Sequence, residues 1–299
     1  SVFGARFSKI VFTLYLVFVP PTSLYHMFLD PGLPDFVKVT GSILSLFVSV
    51  PTLTAFLIIV ASLEVHARVA GARGLFGWLR MLPWEHPATT AVAAAVINMM
   101  FGISLAFVLI QEKLAPLLSD TFFVPGYFRF FTVGTVSLSL LAGLSVLVPG
   151  LTGSPLRWPR FLRALPWVAS AGLLVFGSAG VAAGYMGIPR RVIDIGYGGE
   201  APAIWSTLMG LVGVGGSVMA LALLAYAVGV FLSIFRLRAS QVTPVPTSLL
   251  GMTVPADRTA AWTGPLAILV IVAAMYGFTV VGFELMQNLP VIASGGSGH

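Results

Sequence analysis

The sequence has 299 residues, of which 58% are hydrophobic and 9% are charged, whereas an average soluble domain has roughly 25% charged residues. So few charges cannot cover a soluble fold of this length, which predicts that lipid covers much of the surface. There is no cysteine, so disulfides, thiolate metal sites and cysteine nucleophiles are excluded. In a membrane protein the net charge of +6 reflects topology and anionic lipid, and it argues against a nucleic-acid partner.

Seven apolar segments follow one another along the chain, each long enough to cross the hydrocarbon core, which takes about 20 helical residues. They lie at about 9–28, 39–62, 87–111, 125–149, 164–187, 203–235 and 264–287. The predicted fold class is therefore all-α, a polytopic membrane helix bundle in which residues 1–292 form a single transmembrane domain. The tail 293–299 has the composition of a flexible linker.

The loops between these segments carry unequal charge, and this asymmetry predicts the orientation. Eleven of the 16 Lys and Arg residues lie at the N-terminus and in the second–third, fourth–fifth and sixth–seventh loops. Seven of the ten acidic residues lie on the opposite side. Because cytoplasmic loops carry an excess of Lys and Arg, we expect the N-terminus to be cytoplasmic and the C-terminus to be outside. The predicted location is the inner (cytoplasmic) cell membrane, crossed several times.

Four stretches of the chain carry a likeness to a known family. They are Pro21-Thr-Ser-Leu-Tyr-His-Met-Phe-Leu-Asp-Pro31, Arg73-Gly-Leu-Phe-Gly-Trp-Leu-Arg-Met-Leu-Pro-Trp84, Val124-Pro-Gly-Tyr-Phe-Arg129 and Gly187-Ile-Pro-Arg-Arg191. In order and spacing they resemble the C-terminal half, helices seven to thirteen, of subunit I of heme–copper oxidases, particularly of the B-family. The resemblance covers nearly the whole chain. It implies a membrane protein similar to cytochrome c oxidase subunit I, working in the electron transport of a respiratory chain within a multi-subunit complex.

The resemblance also points to the positions of the family's metal ligands, and most of those ligands are missing here. The family binds copper with a His-His pair before its Asp-Pro turn, where this chain has Tyr25-His26. After Val-Pro-Gly the family has His-x-His, which ligates the two heme irons; this chain has Tyr127 and Arg129. A guanidinium stays protonated and offers no lone pair, so Arg129 cannot be an axial ligand. The family's first six helices, which supply further ligands, have no counterpart in this sequence.

Each of these positions has more than one interpretation. Tyr127 could bind iron as a phenolate. His26 is either an interior histidine bonded to a backbone carbonyl or a remnant copper-ligand position, reused for a metal or a proton. Arg129 either reaches the membrane interface or pairs with Asp120. In a further hypothesis, Arg129 fills part of the space that a heme occupies in the family and joins helices, or it binds an anionic headgroup or a propionate.

Arg190 and Arg191 match the arginine pair that contacts heme propionates in the family, and two adjacent arginines suit carboxylates well. With the iron ligands missing, the alternative is that these arginines pair with Asp194, Glu200 or a partner subunit. Glu64, at the end of the second segment, is expected to face water. The glycines of 210–216 are predicted to allow close packing between helices.

These observations leave three functions open. The first is a non-catalytic heme–copper-oxidase-like subunit that acts as a scaffold or anchor within a larger respiratory or redox complex and is not an enzyme on its own. The second is half of a split cytochrome c or quinol oxidase subunit I, which takes part in oxygen reduction and proton translocation together with a chain supplying the first six helices. The third is a transporter, or a quinone- or lipid-binding protein, that reuses the bundle.

The first function implies partners rather than cofactors. No cofactor is expected in this chain, and heme and copper would belong to partner subunits. The expected partners are lipid and other membrane subunits of the complex, and no nucleic acid.

Overall fold

The fold was analysed in a computed structural model of the chain, which describes residues 4–18, 34–109, 114–153, 155–191, 194, 196–235 and isolated positions between 266 and 281. The elements, in chain order, are α1 (Gly4–Phe18), α2 (Asp35–Val69), α3 (Gly77–Arg80), α4 (Pro87–Leu109), α5 (Ala115–Leu118), α6 (Phe123–Arg129), a π-helix (Phe130–Ser137), α7 (Leu138–Thr152), α8 (Pro159–Tyr185), a 3₁₀ turn (Tyr197–Gly199) and α9 (Ala203–Ser233).

Five helices in the described part of the chain are long and apolar enough to cross a membrane. They are Val50–Val69, Pro87–Leu109, Phe123–Thr152, Pro159–Tyr185 and Ala203–Ser233. The described ranges contain no strand, and their one isolated bridge joins Thr121 to Pro189. The predicted all-α membrane bundle is therefore confirmed. The count of seven helices and the orientation of the termini stay predictions, since much of the first and seventh segments lies outside the described residues.

The helix boundaries follow from local sequence. Pro159 occupies the first turn of α8, where its missing N–H costs nothing. Gly153 ends α7 in the left-handed conformation (φ 65°), and its N–H donates to the carbonyl of Pro149 at 3.0 Å. At the start of α4, Nδ1 of His86 accepts the N–H of Ala88 at 3.1 Å. This contact caps the helix, because the first N–H groups of a helix have no partner within it.

A continuous helical rod is formed by α6, the π-helix and α7. Within the π-helix the hydroxyl of Thr135 donates to the carbonyl of Phe130 at 3.0 Å, and that of Ser137 donates to the carbonyl of Thr132 at 3.1 Å. Both bonds reach five residues back along the chain, which matches the wider winding of this segment. π-Helical turns are rare and occur frequently at functional sites.

Glycine allows α8 and α9 to approach closely. A Cβ placed on Gly215 of α9 would lie 2.7 Å from the carbonyl oxygen of Gly172 on α8, so no side chain fits there. The prediction of close packing within 210–216 is correct for Gly215. It is not confirmed for Gly210 and Gly213, because no described residue lies within 4 Å of their Cβ positions.

Buried polar groups join the helices at depth. The amide of Asn98 on α4 donates to Oγ of Ser170 on α8 at 2.8 Å. The hydroxyls of Ser145 on α7 and Tyr226 on α9 lie 2.7 Å apart, and both residues are buried. Side-chain hydrogen bonds of this kind hold transmembrane helices together.

Glu64 is not placed as the sequence led us to expect. Its side chain is completely buried and forms an ion pair with Arg68 on the same helix. The expectation that Glu64 faces water is therefore wrong. The physical reason is the turn after α2, which folds back so that Trp78 and Leu82 pack against Phe56, Val60 and Ala67 and cover this end of the helix.

Candidate functional site

Most of the residues that the sequence singled out, and that the structure describes, lie on α6, just before it, or on the segment that follows α8. After α8 the chain turns at Gly187 (φ 80°), a conformation that favours glycine. It then forms a strap, residues 188–191, that lies along the turn leading into α6. The N–H of Phe122 donates to the carbonyl of Ile188 at 2.8 Å, and the N–H of Arg190 donates to the carbonyl of Asp120 at 3.0 Å. The Pro-Arg-Arg turn is thus fixed to the start of the helix that carries Tyr127 and Arg129.

An ion pair reinforces the strap. Nη2 of Arg190 lies 2.9 Å from Oδ1 of Asp120, with side chains 30% and 78% exposed. Nε of Arg190 is buried and has no hydrogen-bond partner among the described residues. Arg190 therefore pairs with Asp120. The expected pairing of Arg190 with Asp194 or Glu200 is wrong.

Asp194 has partners of its own. Its carboxylate accepts the N–H groups of Gly196 at 2.8 Å and Gly198 at 3.0 Å. These two backbone hydrogen bonds, first that from Gly198 and then that from Gly196, hold the pKa of Asp194 below its ordinary value. Both Arg191 and Glu200 are exposed.

Helix α6 is held against α8 by glycines on both sides. A Cβ on Gly126 would lie 2.8 Å from the backbone nitrogen of Val181, and a Cβ on Gly180 would lie 2.9 Å from Cα of Gly126. A Cβ on Gly184 would overlap the backbone of Phe123. This contact fixes the position of Tyr127 and Arg129 relative to α8.

Tyr127 lies in an aromatic cluster. Its ring centroid is 5.8 Å from that of Phe123, 6.2 Å from that of Phe128 and 6.3 Å from that of Phe131. The ring also packs beside the apolar cluster that contains Val108. Edge-to-face arrangements of this kind stabilise the rings against one another. Tyr127 therefore has a packing role in the described structure.

The side chain of Arg129, on α6, contacts α8. Its Cζ lies 5.2 Å from the ring centroid of Phe176, within the range of a cation–π interaction. The side chain of Arg129 is exposed, while Phe176 is buried. The neighbouring Phe130 packs its ring against Gly177, whose missing side chain leaves the space. This geometry provides a contact between helices, while Asp120 forms its ion pair with Arg190. That Arg129 reaches the membrane interface, or binds an anionic group, stays a prediction.

Of the side chains on α6, Tyr127 is the one that could serve as an axial heme ligand. Arg129 stays protonated and offers iron no lone pair, and no histidine occurs in Phe123–Arg129. The described ranges contain no group of three or more His, Asp or Glu residues arranged to hold a metal ion. His26, which the resemblance puts at a copper-ligand position of the family, lies outside the described residues.

Two pairings in this site were not predicted from the sequence. Phe176 stands 47 positions after Arg129, and Asp120 stands 70 positions before Arg190. Neither separation produces a periodic pattern within one helix. The signal that could have indicated Asp120 is its acidity on the same side of the membrane as the Pro-Arg-Arg turn.

Comparison with known proteins identifies relatives of the chain. Residues 1–218 match the family model described as cytochrome c and quinol oxidase polypeptide I. A cytochrome c oxidase subunit 1 of Thermus thermophilus is 31% identical over 291 residues, which are 92% of this chain and 50% of that protein. Another cytochrome c oxidase subunit 1 sequence of Thermus thermophilus is 28% identical over 99 residues, 32% of this chain and 92% of that sequence.

A solved structure shares the fold. A heme–copper terminal oxidase dimer determined by cryo-EM superposes with a TM-score of 0.71 at 21% identity, covering 92% of this chain and 50% of that one. At this identity the likeness concerns the fold alone. The chain spans about half the length of the first relative and of this solved structure.

Proposed function

This chain belongs to the family of cytochrome c and quinol oxidase polypeptide I, and we propose that it serves there as a non-catalytic membrane subunit. In this proposal it is a scaffold or anchor within a larger respiratory or redox complex of the inner cell membrane, with its N-terminus in the cytoplasm. Its partners are other membrane subunits and lipid. Heme and copper, where the complex holds them, belong to those partners.

The observation that carries the proposal is the contact of Arg129 with Phe176. By resemblance, Arg129 stands where the family has a histidine that ligates iron. Here the position holds a permanent cation whose guanidinium lies over a ring of the neighbouring helix, 5.2 Å from its centroid. A residue in this position that joins α6 to α8 supports a structural role.

The retained parts of the site support the same role. The approach of Gly126 to Gly180 and the strap bonded to Asp120 and Phe122 hold α6 on α8. These contacts give this part of the bundle a defined shape. A subunit that serves as an assembly surface needs that shape and does not need iron ligands.

One observation favours the second function, half of a split oxidase subunit I. Nε of Arg190 is buried without a hydrogen-bond partner among the described residues, and a buried donor without a partner is costly. A carboxylate on a bound molecule, such as a heme propionate, would accept a hydrogen bond from Nε of Arg190. Arg191 is the next residue and could contact the same carboxylate. In that case Tyr127 and His26 are the side chains left to serve as ligands.

A reduced-minus-oxidised visible spectrum, with heme and copper quantitation, separates the two functions. It is recorded on the native assembly and on this chain purified alone. The scaffold function predicts a colourless, copper-free chain, and an assembly whose heme content is unchanged by Tyr127→Phe. Stoichiometric heme on the isolated chain, lowered by Tyr127→Phe and unchanged by a matched substitution in the same cluster, Phe128→Leu, would establish the split oxidase instead.

A further inference from the structure

Two arginines and a run of apolar residues share one side of α8. Arg160, Arg163, Trp167, Ala171 and Leu174 recur every three or four residues, which places them along one side of the helix. All five residues are exposed. We call this set the outer stripe of α8. It begins at the end of α8 opposite to the strap, and it plays no part in the function proposed above.

The opposite side of the helix shows that the outer stripe faces away from the bundle. Leu162, Leu165 and Ala169 are buried and belong to the same apolar cluster as Tyr226 of α9. The outer stripe is therefore the side of α8 that the described bundle leaves uncovered. Because Pro159–Tyr185 is long and apolar enough to cross a membrane, we expect this side to lie along the lipid.

The guanidinium groups at the start of the stripe have no counter-charge in the described part of the chain. Neither Arg160 nor Arg163 forms an ion pair there, and Glu85, an exposed acidic residue before α4, forms none with them. No Asp or Glu occurs between positions 130 and 189. Since arginine stays protonated, this end of the stripe carries two permanent positive charges.

Trp167 lies one turn further along the stripe than Arg163. Its side chain is 40% exposed, and its indole N–H donates to no described residue. Tryptophan is enriched at membrane–water interfaces, where its ring packs on apolar groups while its N–H donates to a polar one. The indole is thus free to donate to an ester oxygen of a lipid whose phosphate lies beside the arginines.

The length of the stripe matches one leaflet of a bilayer. From Arg160 to Leu174 the helix rises by about 21 Å. Half of a bilayer, headgroups included, is about 20–22 Å thick. The arginines, the indole and the apolar residues follow one another in the same order as the phosphate, the ester groups and the hydrocarbon of a phospholipid.

We propose that the outer stripe of α8 binds one anionic phospholipid. The phosphate lies between Arg160 and Arg163 and accepts charge-assisted hydrogen bonds from both guanidinium groups. One acyl chain follows Trp167, Ala171 and Leu174 into the hydrocarbon core. The arginines select the negative headgroup, and the apolar residues select the chain.

Other occupants fit one part of the stripe and not the other. A soluble acidic peptide reaches the arginines but not the apolar residues at membrane depth. A transmembrane helix of a partner covers the apolar residues, but it must also bring a carboxylate to the arginines and desolvate both charges. The lipid fits both parts, whether the chain is a scaffold or half of a split oxidase.

Native mass spectrometry of the full chain, released from mild detergent, tests the headgroup selection. The probes are phosphatidylglycerol and phosphatidylcholine with identical acyl chains. We expect one phosphatidylglycerol to be retained about tenfold more strongly than phosphatidylcholine, because basic side chains near the membrane surface attract anionic headgroups. Arg160→Gln with Arg163→Gln should abolish this preference.

The matched control is Arg73→Gln with Arg80→Gln, which removes the same charge from two exposed positions on the same predicted side of the membrane. This control should leave the preference unchanged. Equal retention of the two lipids by the unmodified chain, or equal effects of the two double variants, would overturn the proposal.

The contact with the acyl chain has its own test. Trp167→Ala should lower the retention of both lipids by a similar factor and leave their ratio unchanged, while Leu221→Ala, at an exposed position on α9, should lower neither. Unchanged retention in Trp167→Ala would overturn the proposal. A photo-crosslinker at Ala171 should capture lipid in native membranes. Capture of a protein chain instead would also overturn the proposal, because a partner subunit would then cover the stripe.

Discussion

The carboxylate of Glu64 accepts a hydrogen bond from Nε of Arg68, one turn along α2, at 2.7 Å, with side chains 0% and 15% exposed. Nη2 of the same guanidinium reaches the carbonyl of Gly74 at 3.3 Å. The pair thereby joins the end of α2 to the turn that precedes α3. A buried carboxylate at this point is tolerated because its counter-charge is held beside it.

We expect Arg68→Met to lower the free energy of unfolding by about 3–5 kcal/mol, because it leaves the carboxylate of Glu64 buried without its cation. Adding Glu64→Gln should recover part of that loss. Unfolding in a denaturing detergent titration measures both changes. Arg73→Met, at an exposed position in the same turn, serves as the control. Equal effects of Arg68→Met and Arg73→Met would contradict the structural role of the pair.

Gly126→Ala should destabilise the protein strongly, because its Cβ would lie 2.8 Å from the backbone of Val181, which cannot move aside as a side chain can. Overpacking of this kind costs typically about 1–3 kcal/mol. Gly143→Ala is the matched control, since no described residue lies within 4 Å of its Cβ position. That change should be neutral or stabilise α7 by up to about 1 kcal/mol. Thermal unfolding in detergent compares the two variants, and a tolerated Gly126→Ala would show that α6 is not packed on α8 as described.

Arg129 and Phe176 should be coupled energetically. A cation over an aromatic ring at an exposed position stabilises by about 0.5–1 kcal/mol. A double-mutant cycle of Arg129→Met and Phe176→Leu should therefore give a coupling energy of this size in unfolding experiments. The same cycle with Arg163→Met in place of Arg129→Met should give none. Absence of coupling would remove the contact on which the scaffold function rests.

Asp120→Asn should have a small effect, because its ion pair with Arg190 is largely exposed and such pairs contribute about 0.2–1 kcal/mol. The strap keeps its backbone bonds to Asp120 and Phe122 in this variant. Hydrogen exchange at the amides of Arg190 and Phe122 should remain slow. Fast exchange at both amides would show that the ion pair, rather than the backbone, holds the strap.

The stability of the first turn of α4 should depend on pH through His86. Burial lowers the pKa of His86 below its ordinary value of 6.5. The neutral ring is therefore favoured in the folded state, and its stabilising effect is complete above about pH 6.5, the unfolded pKa. It is lost as the pH falls from there through the lower folded pKa, because the unfolded state binds the proton more readily.

The protonated ring can no longer accept the N–H of Ala88, and it adds a positive charge at a helix N-terminus. Melting temperatures between pH 7.5 and 5 should fall more steeply for the unmodified chain than for His86→Asn, which caps the helix without titrating. Parallel curves for the two proteins would contradict this prediction.

The sequence predicted those features of the fold that depend on composition and local pattern. The five described spans correspond to predicted apolar segments, because apolar runs of about twenty residues are typical of membrane-spanning helices. The family could be identified because Val124–Arg129 and Gly187–Arg191 keep their order and spacing. The close approach at Gly215 was predictable too, since glycine inside a membrane helix usually marks a contact.

The sequence did not predict what depends on contacts between distant segments. Glu64 is buried because Trp78 and Leu82 fold back over α2, and nothing in the residues around Glu64 indicates this. Arg129 reaches Phe176 only because α6 and α8 touch through glycines. These pairings are set by the path of the chain, which a window of about twenty residues does not contain.

The π-helix has a consequence for how tolerance to mutation is distributed along this rod. The wider winding of Phe130–Ser137 takes more residues for each turn than the α-helices on either side. Positions that face the bundle therefore recur about every 3.6 residues up to Arg129 and again from Leu138, but the second series is out of phase with the first. A deep substitution scan of Phe123–Thr152 would show two sensitive stripes offset from each other. A single-residue deletion between 130 and 137 would bring the two stripes into one register, so that a continuous α-helix over this rod could present both of them to the bundle.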